Sequence, residues 1–434
     1  MPSASVATAV AVKVDVHRRR ALYASIFGWM MDGFDMWLFL LALPLVIKYF
    51  NLSHAAAGFL STTTLFVAAF GGVLAGIVAD YIGRVKMLTL TILLYSIFTG
   101  LTGVANSYSS LVVYRAIEGL GFGGAWTVCA ALVAESAPSE KRGLWGGFMQ
   151  SAWPAGWGLA LIVQLTVVSV LQTADNWRVL FWIGALPAIV AVTLIRKVKE
   201  PEIWLETVRM KKELRARQQT ADVGEQRESL KFTVFQLWAK NLRKRTVLGF
   251  LLCTGNVFGY YAIFSFLPIF LKENLHLTIV GSGPYLALVI SGSLAGGLTS
   301  GWLNDVLGRR KNILFWAVGA IIIVFLYTRV IHSNNVLLAA SFLLGAFATG
   351  IMSGFSTYLG ELFPSSARGT ALGVLYNGAR AVGAFGPLVV GTFSAKMGGL
   401  GGAIAFLGMA AYSLCIIAAL LLPETKGMKL RALH

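Results

Sequence analysis

The chain has 434 residues, of which 57% are hydrophobic and 13% charged. A water-facing chain carries about 25% charged residues, so a mainly soluble protein is excluded. The net charge of +17 does not point to nucleic acid, because the cations sort by side.

Apolar runs long enough to cross a hydrocarbon layer of about 30 Å recur along the whole length. The pattern predicts twelve spans, near 21–47, 55–79, 87–105, 108–134, 143–170, 177–195, 246–271, 280–303, 312–330, 336–362, 368–396 and 399–422. This gives a cytoplasmic N-terminus 1–20, a six-helix bundle 21–195, a linker 196–245, a second six-helix bundle 246–422 and a cytoplasmic tail 423–434. No cleavable signal is evident, and the first span is expected to act as an uncleaved anchor. Of the 36 Lys and Arg residues, only Lys48, Arg178, Lys272, Arg329 and Lys396 fall on the side opposite the termini, and Arg115 and Arg380 fall inside spans. Positive charge concentrates on cytoplasmic loops, so both termini are expected in the cytoplasm.

The first span carries Asp32 and Asp35, three apart and therefore on one helical face. Two carboxylates this close in a low-dielectric site cannot easily both stay ionised, so the pair suits proton uptake and release; an ion pair that fixes helix packing, with Arg115 as partner, is the alternative. After the second span comes Gly76–Arg84, with the pattern Gly-x-x-x-Asp-x-x-Gly-Arg and charges at Asp80 and Arg84. The fourth span holds Arg115 and Glu118, opposite in sign and also three apart; they can neutralise one another as a structural pair or tune the aspartates. Its glycine-rich run Gly119–Gly124 suits close helix approach. Glu135-Ser-Ala-Pro138 and Arg142-Gly143 close the fourth loop, and Gln150 and Trp153 follow in the fifth span.

The linker holds fourteen Lys or Arg residues; Glu202–Arg217 reads as a charged surface helix and Gln218–Glu228 as a flexible tether. In the second half the seventh span offers Asn256, Tyr260 and Tyr261. The nine-residue pattern then returns at Gly301–Arg309, with Asp305 and Arg309, and Glu361-Leu-Phe-Pro364 with Arg368-Gly369 repeats the fourth-loop motif. Two matches at one half-length offset mark a duplicated membrane unit. These repeated charges are expected to latch one state as gating residues. The eleventh span carries Tyr376, Asn377 and Arg380. Ionisable residues inside spans are functional-site candidates by default, and Arg380 has no acidic residue within ten positions on its helix. Its planar fork suits a carboxylate, supplied either by Asp32 or Asp35 in the empty state or by a substrate. Gln150, Trp153, Asn256, Tyr260, Tyr261, Tyr376 and Asn377 are the expected lining of the same site.

Cys129, Cys253 and Cys415 lie within spans, and the five His residues are scattered over loops and termini. Neither a disulfide framework nor a metal site is expected. Without a Gly-x-x-x-x-Gly-Lys-Ser/Thr loop, no ATP-driven pump is encoded.

By these residues the chain resembles the major facilitator superfamily. Gly76–Arg84 and Gly301–Arg309 are similar to its signature loops, Arg115–Gly124 to its fourth-span motif and Pro423-Glu-Thr-Lys-Gly427 to the closing motif of its sugar-porter-like branch. Within it the chain looks most like the metabolite:proton symporters of the lactate, pyruvate and sialic-acid type. Asp32-Gly-Phe-Asp35 is similar to the first-span motif of aromatic-acid:proton symporters, and Asn176-Trp-Arg-Val-Leu-Phe181 and Ile203-Trp204 resemble the sialic-acid type. The resemblance implies twelve helices in two pseudo-symmetric bundles and a rocker-switch cycle. It also places Asp35 where sugar:proton symporters keep their proton-binding Asp and Arg115 where they keep its partner. Many relatives carry Gly-Glu-Trp where Gly124-Ala125-Trp126 stands here, and the seventh-span glutamines of sugar porters are replaced by Cys253-Thr254-Gly255-Asn256.

The expectation is a proton-coupled importer of a small organic acid in the cytoplasmic membrane, monomeric, not an enzyme, with no cofactor and no nucleic-acid partner. Arg380 would hold the carboxylate; Asp35, with Asp32, Arg115 and Glu118, would carry the proton. A sugar or polyol:proton symporter, favoured by the Pro423–Gly427 ending, and a proton-coupled exporter stay open.

Overall fold

The computed structural model describes residues 4–52, 54–171, 173, 175–187, 189, 198–218, 232–264, 266, 267, 270, 271, 283–428 and 430. The expected tether Gln218–Glu228, apart from its first residue, the end of the sixth span, Lys272 and the chain's last four residues lie outside these. The described residues are mostly helical, with no strand among them. In the first half α1 spans Ala4–Phe50, α2 His54–Ile82, α3 Arg84–Thr102, α4 Tyr108–Ser136, α5 Arg142–Leu171 and α6 Asn176–Ala185. Between the halves lie α7, Glu202–Gln218, and a single turn, α8, Thr233–Gln236. The second half continues with α9 Arg243–Phe264, α10 Gly283–Leu307, α11 Arg309–Phe325, α12 Asn334–Ser353 and α13 Phe355–Leu362. It closes with α14 Arg368–Leu372, α15 Gly378–Gly383, α16 Gly386–Ser394 and α17 Leu400–Leu421.

Among the described residues ten helices are long and apolar enough to cross a membrane. The sixth span is described only in its first part, α6. The eleventh, expected as one run over 368–396, is α14, a π-helical turn at Gly373–Asn377, then α15 and α16. Glycines at 369, 373, 378, 383 and 386, with Pro387, weaken its helical ladder. Together these make twelve spans in two pseudo-symmetric six-helix bundles. The first helix begins well before the predicted edge near 21, because no Gly or Pro interrupts Ala4–Arg20.

The signature glycines mark matched breaks. Gly83 (φ 114°) separates α2 from α3 and Gly308 (φ 96°) separates α10 from α11, backbone angles that only glycine adopts without strain. Within each bundle α1 packs on α5, α2 and α3 on α4, α10 on α12, and α9 and α11 on α17. The halves meet where α5 crosses α10 and α2 crosses the eleventh span. Lipid supplies no hydrophobic drive between helices, so close backbone approach carries the packing. A methyl placed on Gly301 would sit 2.6 Å from the Gly147 Cα, and one on Gly76 would sit 2.3 Å from the Gly369 carbonyl oxygen.

Candidate functional site

Two separate charge clusters occupy the molecule. The first lies where α2, α4 and α10 end and α3, α5 and α11 begin, the same end at which α1 and α9 start. There Arg84 grips Glu135 with two bonds, Nε to Oε2 at 3.0 Å and Nη2 to Oε1 at 2.9 Å. Arg368, from the other half, donates to the same Oε1 at 2.6 Å. Asp80, paired with Arg84 at 3.0 Å, accepts from the Gly369 and Thr370 amides across the interface at 3.0 and 2.8 Å.

The second copy mirrors the first. Arg309 holds Glu361 at 3.1 and 2.9 Å, Arg142 reaches Glu361 at 2.8 Å, and Asp305 accepts from the Gly143 and Leu144 amides at 2.9 and 2.8 Å. Each motif thus bonds its own half and clasps the opposite one. The eight residues singled out in the repeats all belong to this double latch.

Two further carboxylates complete it, and the sequence reading missed both roles. Glu200 accepts from the backbone N–H groups of Arg84, Val85 and Lys86 at 2.7, 3.1 and 3.1 Å, capping α3. Glu424, from the Pro423–Gly427 motif, does the same for Arg309 and Arg310 at 2.9 and 3.1 Å, capping α11. Their near-half-length offset was the available signal. Partial burial raises the Glu424 carboxyl, but the amides of Lys426, Arg309, Arg310 and Thr425 together hold it below the ordinary glutamate value.

The second cluster is central, and its charges are poorly matched. Asp32, Asp35, Arg115 and Glu118 are all at most 1% exposed. Arg115 lies 3.2 Å from Glu118 and 4.0 Å from Asp35, over the Phe39 ring at 4.0 Å. Thr99, on α3, donates its hydroxyl to Asp35 at 2.5 Å. Glu118 stands within bonding reach of Asp35. Two bare carboxylates are both acceptors, so that contact is a hydrogen bond only when one carries a proton. Neither oxygen of Asp32 has a hydrogen-bond partner among the described residues.

Beside this cluster, between the bundles, lies a cavity of about 320 Å³. Its wall runs along α1 from Trp29 to Leu40 and along α9 from Asn256 to Phe264, away from the latch. Gln150, Trp153, Asn256, Tyr260, Tyr261, Tyr376 and Arg380 all line it. Asn377 does not; its amide donates to Thr127 of the other half at 3.0 Å. The π turn carries one more residue than an α turn, so faces shift after it.

Among the described residues Arg380 is the one cation in the lining, and no acid lines the cavity. Its Nη2 donates to the Tyr376 hydroxyl at 3.4 Å, its Nη1 has no partner among the described residues, and it lies 5.5 Å from the Phe122 centroid. Asp32 and Arg380 act on each other electrostatically without forming an ion pair. Aromatic rings dominate the remaining wall, including Trp37 stacked on Trp157 at 3.7 Å. This chemistry suits an anion with a flat or apolar body.

The family profile of the Major Facilitator Superfamily matches residues 26–299 and 286–432. A Cupriavidus pinatubonensis protein named "Probable 4-methylmuconolactone transporter" is 34% identical over 414 residues, covering 95% of this chain and 92% of the relative. A cis,cis-muconate transport protein of Acinetobacter baylyi is 31% identical over 399 residues, covering 91% and 92%. In fold, the solved structure of the proton:xylose symporter XylE bound to 6-bromo-6-deoxy-D-glucose aligns with a TM-score of 0.77 over 96% of this chain and 98% of its own, at 21% identity. With its two six-helix bundles and doubled latch, the chain belongs to the Major Facilitator Superfamily and is a membrane transporter, not an enzyme.

Proposed function

We propose that the protein is a proton-coupled importer of a small organic acid, working as a monomer by alternating access in a bacterial cytoplasmic membrane. The observation that carries the reading is Arg380: a lone guanidinium in the cavity wall with one nitrogen unpartnered. A buried cation without a counter-ion is costly, and a substrate carboxylate supplies one through its two-pronged fit. The relatives named for muconate and 4-methylmuconolactone support an acid with a conjugated or cyclic body, which the aromatic walls suit.

With both termini in the cytoplasm, the latched end is the cytoplasmic one, and this conformer receives substrate from outside. Asp32 and Arg380 act on each other electrostatically in the empty site. A bound carboxylate competes for that cation, so Asp32 gains a proton as substrate arrives. Asp35 and Glu118 stand beside it as further carriers for the proton, held by Arg115 and the Thr99 hydroxyl. A monoanion moving with one proton is electroneutral, whereas an uncompensated charge exchanges about 2.3 kcal/mol per 100 mV with the membrane potential.

Uptake into proteoliposomes under an inward proton gradient, competed by cis,cis-muconate, benzoate and neutral sugars, tests the reading. Acids should compete and sugars should not. Arg380→Lys keeps the charge but loses the fork, so affinity for the acids should fall about tenfold or more, as for a charged hydrogen bond lost. Normal affinity in that variant defeats carboxylate capture.

A further inference from the structure

Between the cavity and the latch lies a layer that neither accounts for. Trp126, on α4, is fully buried and is not part of the cavity wall. Its ring stacks on Tyr376 of the opposite half, with centroids 3.8 Å apart and planes at 25°. Its N–H donates to the Gln150 side chain at 3.2 Å, which fixes the indole's orientation. Next along the two helices, Asn377 bonds Thr127, again across the halves. Glu135 lies further along α4 toward the latch, and Arg368 lies on the latch side of Tyr376 in the eleventh span. Residues 126–127 and 376–377 therefore floor the cavity, and the charged end cannot open until they part.

The floor is also wired to the binding cation. The Tyr376 hydroxyl accepts from Arg380 at 3.4 Å, the one hydrogen bond of that guanidinium among the described residues. A carboxylate binding with two prongs takes over the same nitrogen at shorter range. Tyr376 then keeps only its stack on Trp126.

We infer that Trp126 is a positioning residue that seats Tyr376, and through it Arg380, and that the Trp126–Tyr376 stack is the inner seal which occupancy of Arg380 loosens. The inference rests on the proposed carboxylate capture by Arg380, but its test needs no substrate. The π turn at Gly373–Asn377 fits this role, since such turns often mark places where a helix rearranges.

The test uses the full chain with Cys129, Cys253 and Cys415 replaced by Ser and with Thr127→Cys, reconstituted in sealed vesicles. A membrane-impermeant methanethiosulfonate is added on the side the cavity faces. With Trp126 in place, residue 127 should label slowly. Trp126→Ala should speed labelling about tenfold, the upper worth of an aromatic pair in a two-state equilibrium, and Trp126→Phe should restore the slow rate. Trp126→Leu keeps bulk in the core and replaces the Ala variant if that one does not fold.

Tyr376→Phe and Arg380→Ala both remove the phenol–guanidinium bond. Each should raise labelling about threefold, as for a modest hydrogen bond, mimicking substrate without any. An unchanged rate in Trp126→Ala or Trp126→Leu overturns the seal. An unchanged rate in both Tyr376→Phe and Arg380→Ala overturns its link to the binding cation. Neither outcome touches acid competition with Arg380→Lys, so failure here and failure of the organic-acid reading remain distinct.

Discussion

The latch and the central cluster bury similar charges and treat them oppositely. In the latch every oxygen of Asp80, Glu135, Asp305 and Glu361 has at least one donor, and several donors come from the other half. In the centre, among the described residues, the Asp32 oxygens, the Arg115 nitrogens and the Glu118 oxygens have no hydrogen-bond partner. A satisfied network holds one arrangement, whereas an unsatisfied one changes partners when a proton or ligand arrives. On the proposed reading the latch is the conformational lock and the centre the working part.

Substitutions in the centre should cost the most transport and the least fold. Asp32→Asn and Asp35→Asn should drop concentrative uptake to background while counterflow exchange continues, measured in proteoliposomes with and without a pH gradient. Glu118→Gln gives Asp35 a permanent N–H donor and should mimic the protonated state, slowing net uptake with exchange preserved. If these variants instead lose their thermal unfolding transition, the central charges are structural and the contrast is broken.

The latch should behave the other way. Glu135→Ala leaves Arg368 without its carboxylate and Arg84 with Asp80 alone, at a cost to the latched state of about 3–5 kcal/mol. A lowered melting temperature and faster labelling from the charged end should follow, and Glu361→Ala should match it because Arg309 and Arg142 stand in mirrored places. A large difference between the two would show that one copy of the latch carries the closed state alone.

The smallest effect is expected at Glu424→Gln. A charge capping a partly exposed helix start typically contributes about 1 kcal/mol or less. Because the folded protein holds this carboxyl below its ordinary value, the contribution is present above the unfolded glutamate value and fades as pH falls through the folded one. The melting-temperature gap between wild type and Glu424→Gln should therefore close in acid.

Much of this was legible in the sequence because it repeats. Asp80, Arg84, Glu135 and Arg142 announced themselves through their twins, and a motif that recurs at a fixed offset reveals position without any knowledge of packing. Intramembrane Asp32, Asp35, Arg115, Glu118 and Arg380 stood out by their cost in lipid. Asn377 and Trp126 could not be placed that way. Both are unremarkable residues within apolar runs, and which face of a helix meets the other half depends on crossing geometry and on a π turn that only the fold shows. Glu200 was missed for a different reason: it bonds backbone amides, which carry no side-chain signature.

The bare glycine crossings, Gly147 against Gly301 and Gly76 against Gly369, carry one more consequence. At these two points backbone meets backbone, so reorientation there has no interlocked side chains to disengage. The resistance to reorientation is then concentrated in a few discrete polar bonds near one face of the bilayer. Such a machine behaves less like a melting core than like a ball joint with a removable pin, and adding even one methyl group at the joint should freeze it with its charges intact.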